Sequence, residues 1–395
     1  MNKKLLCLVF SVCLLLSVSA QSVKIKRVMN DIEKQTLILV DSVKQASKLK
    51  SDAVAPRTIE KGALKLVSSR DWTSGFFAGE LWMLYGYTGD ANWKKLADSA
   101  TRLLEREKTN AGTHDMGFKI YCSYGNGYRY TKDESYKSVI IEAARTLSKR
   151  FNPLIGCIRS WDHNRDKWQY PVIIDNMMNL ELLFAATRFT GDSSFYKIAV
   201  SHANTTLRNH FREDNSSYHV VEYDTLSGAV RSRVTHQGFA DSSAWARGQA
   251  WGLYGYTLCY RETKDPRYLE QAEKIAAFIF NHPRLPADLV PYWDYDATTI
   301  PSTPRDASAA AITASALYEL ATYSSNKQIH KKRADQLLKN LTNSYRAPIG
   351  SNKGFILLHS TGHLPHNSEI DVPINYADYY YLEALLRKAG SPFGS

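Results

Sequence analysis

Tyr87-Thr88-Gly89-Asp90-Ala91-Asn92-Trp93 is a pattern that this chain repeats. It returns as Tyr130-Thr131-Lys132-Asp133-Glu134-Ser135-Tyr136, as Phe189-Thr190-Gly191-Asp192-Ser193-Ser194-Phe195 and as Glu262-Thr263-Lys264-Asp265-Pro266-Arg267-Tyr268. A degenerate fifth copy lies near Ser325-Asn326-Lys327-Gln328. The pattern encodes a helix-to-helix turn. The residue before Asp ends one helix, where Gly can take a left-handed conformation. Asp then accepts a backbone N–H as the cap of the next helix, and Pro266 falls at the favoured first helical position. The aromatic residue three places after Asp faces back into the hairpin.

Helical periodicity follows each turn. Trp93, Leu96, Ala97, Ala100, Leu103 and Leu104 recur at three- and four-residue spacing, as do Tyr268, Ala272, Ile275, Ala276 and Ile279. The stretches before the turns, such as Phe76 to Leu84, Met177 to Ala186 and Ala244 to Leu258, are apolar on most faces and therefore interior. Each unit reads as inner helix, short turn, amphipathic outer helix. Five turns, an N-terminal helix (about 24–50) and a C-terminal one (about 375–388) make six hairpins. The expected fold is all-α, an (α/α)6 toroid or six-hairpin barrel. An open helical solenoid is the alternative. Long loops before the inner helices favour a closed ring with a cleft, because binding residues collect on such loops. The strand-like runs His219 to Tyr223 and Phe355 to His359 fall in connections.

The flanks of this pattern bound the rest. Lys3 and Lys4, the apolar run Leu5 to Leu16 and Val18-Ser19-Ala20 compose a signal peptide over 1–20, too short to span a bilayer. No cysteine stands near Ala20 to carry a lipid anchor, so the expectation is an exported, periplasmic chain without a membrane segment. Removing Lys3 and Lys4 takes the formal charge from +11 to +9, spread without a basic block. A solvated basic surface accounts for it, or an attraction to polyanions, which for an exported chain means acidic glycans rather than nucleic acid. Cys122, Cys157 and Cys259 form neither a disulfide framework nor a zinc pattern. Residues 21–395 show no linker or compositional break, and are read as a single toroidal domain.

Polar residues at the starts of apolar inner helices need explaining. Asp71, in Arg70-Asp71-Trp72-Thr73-Ser74-Gly75, is a helix cap or a site residue, and Trp72 is core or a sugar platform. Asp115, in Thr113-His114-Asp115-Met116-Gly117-Phe118, has the same two readings, with His114 beside it as a titratable partner. Asp175 sits inside the apolar run Val172 to Met178. Desolvation there raises a carboxyl pKa unless the group is paired, which yields an acid able to donate and take back a proton near neutral pH. Thr235-His236-Gln237-Gly238 leads into Ser243 to Gly252, where Arg247 among Ala, Trp and Gly requires an anionic partner. That partner is an internal carboxylate or a substrate's. Trp245 and Trp251 are read as core. His363 and His366, before the closing helix, lack the compact spacing of a zinc motif, so no metal is expected. Two carboxyls, aromatic platforms and a buried Arg suggest a glycosidase-like cleft.

These stretches, taken in order, carry a resemblance. Trp72-Thr73-Ser74-Gly75-Phe76, His114-Asp115-Met116-Gly117-Phe118, Ile174-Asp175-Asn176-Met177-Met178-Asn179 and Ala244 to Gly255 resemble the unsaturated glucuronyl hydrolases, glycoside hydrolase family 88. The closing Tyr376-Ala377-Asp378-Tyr379-Tyr380-Tyr381-Leu382-Glu383-Ala384-Leu385 fits as well. The resemblance implies a toroid that removes the 4,5-unsaturated uronic acid from the non-reducing end of lyase-generated glycosaminoglycan oligosaccharides. It implies Asp175 as general acid/base, Asp115 as its carboxylate partner, and Trp72 and Trp251 as sugar platforms. His114, His219, Gln237 and Arg247 would contact the uronate and the water, and no cofactor is needed. His219 rests on the weaker Tyr218-His219-Val220-Val221-Glu222-Tyr223. The loop His363-Leu364-Pro365-His366-Asn367-Ser368-Glu369 has no Lys or Arg with which to bind a sulfate. Competing readings are an unsaturated rhamnogalacturonyl hydrolase acting on pectin fragments, a polysaccharide lyase, and a non-catalytic glycan-binding protein.

Overall fold

The computed structural model describes residues 3–48 and 52–390, with side chains from residue 24 onward. The first helix, α1 (Lys3–Ser47), begins in the expected signal segment 1–20, whose side chains lie outside the described residues. No helix among the described residues is long and apolar enough to cross a membrane.

After α1 comes an antiparallel hairpin, β1 (Ala53–Glu60) and β2 (Ala63–Ser68), which the periodicity did not announce. Then follow α2 (Ser74–Thr88), α3 (Ala91–Arg102), a π-helical segment (Gly117–Gly125) running into α4 (Asn126–Thr131), and α5 (Glu134–Ser148). Two short strands, β3 (Phe151–Asn152) and β4 (Cys157–Ile158), precede β5 (Pro171–Ile173). A 3₁₀ turn (Ile174–Asn179) opens α6 (Leu180–Thr190), and α7 (Ser193–Asn209) returns outside it. The strands β6 (Val220–Tyr223) and β7 (Val230–Val234) lead to α8 (Ala246–Thr263) and α9 (Pro266–Asn281). The chain ends with α10 (Ala307–Leu320), α11 (Lys327–Asn340) and α12 (Asn375–Lys388).

Six inner elements follow one another around a ring: α2, the Gly117–Thr131 segment, α6, α8, α10 and α12. The ring closes because α12 packs against α2, which excludes the open solenoid. Outer helices α3, α5, α7, α9 and α11 each return along an inner one. The outer helix α1 is tied in by Trp93 Nε1, which donates to Glu33 at 3.2 Å, and by the Arg346–Asp31 ion pair at 3.3 Å. Glycines let the inner helices close up: a Cβ on Gly75 would lie 2.2 Å from the Phe118 carbonyl oxygen.

The recurring turn explains its own sequence. Asp90, Asp133, Asp192 and Asp265 each accept the backbone N–H two residues on, at 2.8, 2.9, 2.8 and 3.0 Å. The residue before each Asp is left-handed, whether Gly89 and Gly191 or Lys132 and Lys264. The preceding Thr adds a contact that the cap argument omits. Its hydroxyl donates to the carbonyl four residues back and accepts the Asp N–H, as Thr88 does from Asp90 at 3.1 Å. The Ser324–Asn326 copy keeps this contact at 2.8 Å, although Asn326 makes no side-chain cap. Trp93, Tyr136, Phe195 and Tyr268 are buried, as their place in the turn requires.

At one end of the toroid a three-stranded antiparallel sheet runs β5–β6–β7. Ile173 pairs with Val220, and Val220 with Val234. That register brings three separate stretches together: Asp175 just after β5, His219 just before β6, and Thr235–Gly238 just after β7.

Candidate active site

At this end lies a cleft of ≈ 490 Å³. Trp72, His114, Asp115, Asp175, Gln237 and Arg247 all line it. They come from the start of α2, the loop before the π-helical segment, the 3₁₀ turn, the loop after β7, and α8. The remaining two expected residues stand behind the wall. His219 is buried with its Nε2 3.7 Å from Asp175 Oδ2. Trp251 is fully buried, packing on Phe118 and Tyr380. It presents no face to the cleft, so the platform reading of Trp251 is corrected to a supporting one. Its position one turn inside α8 places it among the ring's core aromatics.

Asp175 is the decisive group. It is 7% exposed, and burial pushes its carboxyl up to about 7 against the pull of Arg247. The neighbouring charge of Asp115 raises it further, while the Trp251 indole favours the ionised form. Among the described residues, none gives Oδ2 a hydrogen bond of normal geometry. A carboxyl so placed is a proton donor at neutral pH and has unoccupied capacity for a substrate.

His219 is held in one tautomer. The backbone N–H groups of His236 and Gln237 donate to its Nδ1 at 3.1 and 3.0 Å. Nδ1 must therefore be the acceptor and Nε2 carry the proton, aimed at Asp175. Burial holds the ring neutral, well below the ordinary histidine range. An N–H facing the carboxyl favours the carboxylate that forms once Asp175 has given up its proton.

His114 is arranged in the opposite sense. Its Nδ1 donates to the Ser160 carbonyl at 2.5 Å, and its Nε2 faces Asp115 Oδ1 at 3.2 Å. Burial disfavours the imidazolium, with Asp115 opposing. With Nδ1–H committed to Ser160, a neutral ring turns its Nε2 lone pair toward Asp115. The Asp115 carboxylate also accepts from the Thr113 hydroxyl at 2.7 Å. The backbone N–H groups of Gly117 and Phe118 donate to Asn179 Oδ1 instead, at 2.8 and 3.1 Å, so the Asp115 carboxylate caps neither. Asp71 does serve the chain's turn into α2, accepting Thr73 N–H and hydroxyl at 2.9 and 2.7 Å.

The anionic partner of Arg247, left open by the sequence, is internal. Its Nη1 bonds Asp306 at 2.9 Å and the Thr361 carbonyl at 2.6 Å, and its Nη2 bonds the Gly362 carbonyl at 2.5 Å. The guanidinium lies over the rings of Trp245 and Tyr376, at 4.5 and 5.3 Å. Gln237 Nε2 donates to the same Gly362 carbonyl at 3.2 Å. These bonds strap the C-terminal loop across the cleft.

Sequence reading missed Arg57, Trp161 and His163, and gave His236, His363, Glu369 and Tyr376 no place in the cleft, though all of them line it. Arg57 pairs with Asp71 at 2.6 Å and with Glu369 at 2.5 Å, joining β1, the start of α2 and the C-terminal loop. It sits on the unannounced hairpin, and no local signal marks it. Tyr376 was quoted only within the motif of the closing helix; it stacks 4.9 Å from Trp72 and leaves its buried hydroxyl unpartnered.

Known proteins are similar to this chain in sequence and in fold. The sequence model of Glycosyl Hydrolase Family 88 matches residues 50–320. An unsaturated glucuronyl hydrolase of Formosa agariphila is 53% identical over 341 residues, 86% of this chain and 84% of that one. An unsaturated chondroitin disaccharide hydrolase of Streptococcus pneumoniae is 33% identical over 345 residues, 86% of each chain. Among solved structures, an unsaturated glucuronyl hydrolase specific for heparin superposes with a TM-score of 0.86 at 50% identity, covering 91% of this chain and 97% of that one.

Proposed function

Since the chain belongs to Glycosyl Hydrolase Family 88, we propose that it removes the 4,5-unsaturated uronic acid from the non-reducing end of lyase-generated glycosaminoglycan oligosaccharides, with Asp175 as general acid/base. The observation that carries this reading is the buried Asp175 carboxyl, raised to about 7 and facing the cleft. The names of the relatives support the substrate class: glucuronyl, chondroitin disaccharide and heparin.

The reaction follows from that carboxyl. Asp175 delivers its proton to C4 of the C4=C5 double bond, and the ring oxygen stabilises the cation left at C5. The carboxylate so formed is favoured by Arg247 and by the His219 N–H. It then accepts a proton from water as the water oxygen bonds to C5, which restores the acid. The C5 hemiketal opens to a ketone, breaking the C5 link to the ring oxygen. The hemiacetal thereby freed at C1 collapses to an aldehyde and releases the downstream sugar as an alcohol. Each proton lost is regained, so the residues alone suffice.

In this reading Trp72 meets a sugar face, and His114, Gln237 and Arg247 hold the uronate and the water. Asp115 holds substrate and keeps Asp175 from ionising early. Because Asp306 already balances the Arg247 charge, Arg247 acts as a fixed donor and field source more than as an uncommitted cation. His219 and Trp251 act through Asp175. The proposal extends to location: cleavage after Ala20 and export to the periplasm, read from the N-terminal residues. N-terminal sequencing of the chain recovered from a periplasmic fraction checks it, and a retained Met1 would overturn it.

The test of the activity is optical. Mixed with an unsaturated chondroitin or heparin disaccharide, the protein should bleach the ultraviolet absorbance of the C4=C5 bond, and Asp175→Asn should abolish the bleaching. A rise of absorbance on intact polymer would mean a lyase instead. Constant absorbance with every unsaturated uronide would sink the proposal.

A further inference from the structure

We propose that His236, His363 and His366 form a binding site for a divalent transition-metal ion, zinc above all, at the rim of the cleft. One ring nitrogen from each lies within 4.8 Å of the others. The rings of His363 and His366 stack at 3.9 Å, and that of His236 stands 4.8 and 5.0 Å from them. Imidazole nitrogen suits zinc, copper and nickel. Three such ligands with a water in the fourth position make an open tetrahedral site.

The second observation is the hydrogen bond that His363 makes. Its Nε2 contacts the His236 carbonyl at 2.9 Å, and a carbonyl can only accept. Nε2 therefore carries the proton, and Nδ1 keeps a lone pair for a metal. Donation from the distal ring nitrogen to a backbone carbonyl is the usual outer support of a ligating histidine, because it fixes both tautomer and ring plane.

The two loops that carry these rings are tied down by hydrogen bonds and an ion pair. His363 to Ser368 is a tight turn, with Pro365 at its head, Asn367 left-handed, and His363 N–H donating to Ser368 at 2.9 Å. Glu369 anchors it to Arg57. On the other side, the His236 N–H is fixed on His219 Nδ1. Among the described residues none of the three rings makes an ion pair with a carboxylate, so the cluster serves no evident salt bridge. Metal–nitrogen bonds of about 2.0–2.1 Å put tetrahedral ligands about 3.3 Å apart. The nitrogens must close by at most about 1.5 Å to reach that, and the His366 ring must swing out of its stack on His363 so that the lone pairs converge, a movement its exposure permits.

A bound ion would cross-link the Thr235–Gly238 loop, which carries Gln237, to the C-terminal loop that Arg247 straps down. No motif search finds this site, because His236 lies 127 residues from His363. It stands on the ring geometry and the His363 hydrogen bond, and its test involves no substrate, so its fate is separable from that of the proposed hydrolysis.

The experiment titrates Zn²⁺ into the tag-free, metal-stripped full chain against a chromophoric chelator, with thermal unfolding alongside. One equivalent should bind at micromolar Kd or tighter. At a hundredfold excess over Kd, Tm should rise by about 3 °C. His366→Ala, at an exposed position, and His236→Ala should each weaken binding at least tenfold. His359→Ala, an exposed histidine paired with Asp371 elsewhere, should leave it unchanged. Absence of a saturable equivalent, or full affinity in His366→Ala, would overturn the site, as would an equal loss in His359→Ala.

Discussion

Asp175→Asn should stabilise this protein above neutral pH while destroying its activity. Burial lifts the Asp175 carboxyl from the ordinary value to about 7, a difference of about three pH units, or ~4 kcal/mol at 1.36 kcal/mol per unit. The sign follows from linkage. Below pH ~4 Asp175 is neutral in both folded and unfolded chains, and the substitution changes little. Between pH ~4 and ~7 the unfolded chain releases this proton while the folded one keeps it, so wild-type stability falls as pH rises. Above pH ~7 the folded state carries a buried carboxylate, and the loss is complete. The amide of the variant carries no charge at any pH and escapes it. Unfolding entropy scales with length, so each kcal/mol moves Tm by about 1.3 °C in a domain of this size. The variant should therefore match wild type near pH 4 and exceed it by up to about 5 °C at pH 8. The assay is thermal unfolding of both chains across that range at constant ionic strength. A Tm difference that does not change with pH, or a variant less stable than wild type at pH 8, would refute the claim that the fold holds Asp175 protonated.

Other consequences are more direct. Because the donor must be protonated, kcat/KM for an unsaturated disaccharide should fall about tenfold per pH unit above pH ~7; a flat profile to pH 9 would remove Asp175 from the donor role. Arg247→Met strands the buried Asp306 carboxylate with only Ser308 and Thr361 as donors. Leaving a buried charge unpaired costs about 3–5 kcal/mol, and adding Asp306→Asn should recover part of it in a double-mutant cycle read by denaturant unfolding. Asp90→Ala deletes one turn cap, a loss of about 1 kcal/mol, with turnover unchanged. Gly75→Ala drives a Cβ into the Phe118 carbonyl, and should lower stability by about 1–3 kcal/mol or more, measured by the shift of the urea midpoint.

How far these features could be seen in the sequence depends on the range of the contacts that make them. The hairpins were legible because each turn is settled by bonds between residues no more than four apart, as from Leu84 to Asn92. Thr88, the left-handed Gly89 and the Asp90 cap bond one another and their own helices, so the pattern means the same thing wherever it occurs. The apolar setting of Asp175 was legible too, since the run from Val172 to Met178 is buried throughout. Burial raises a carboxyl unless a cation pairs with it, and that run supplies none.

Long-range relations were not legible. Local signals could not choose between ring and solenoid, because closure is a contact between α12 and α2, at opposite ends of the chain. Arg247 demanded an anion, but its partner Asp306 lies 59 residues away and was selected by the packing of α8 against α10. Trp251 is a platform by resemblance but core by its own helical setting, and it is interior, since one helical turn decides whether a ring meets the cleft or the core. The β1–β2 hairpin, with Arg57 on it, carries too little periodicity to declare itself. The three histidines at the rim converge only after β7 and the C-terminal loop have both been placed. Neighbours along the chain were enough to specify the repeating hairpin and the burial that turns the cleft carboxyl of Asp175 into an acid. What surrounds that acid was left to the packing of distant elements, because a site at the mouth of a ring is built from residues that only ring closure brings together.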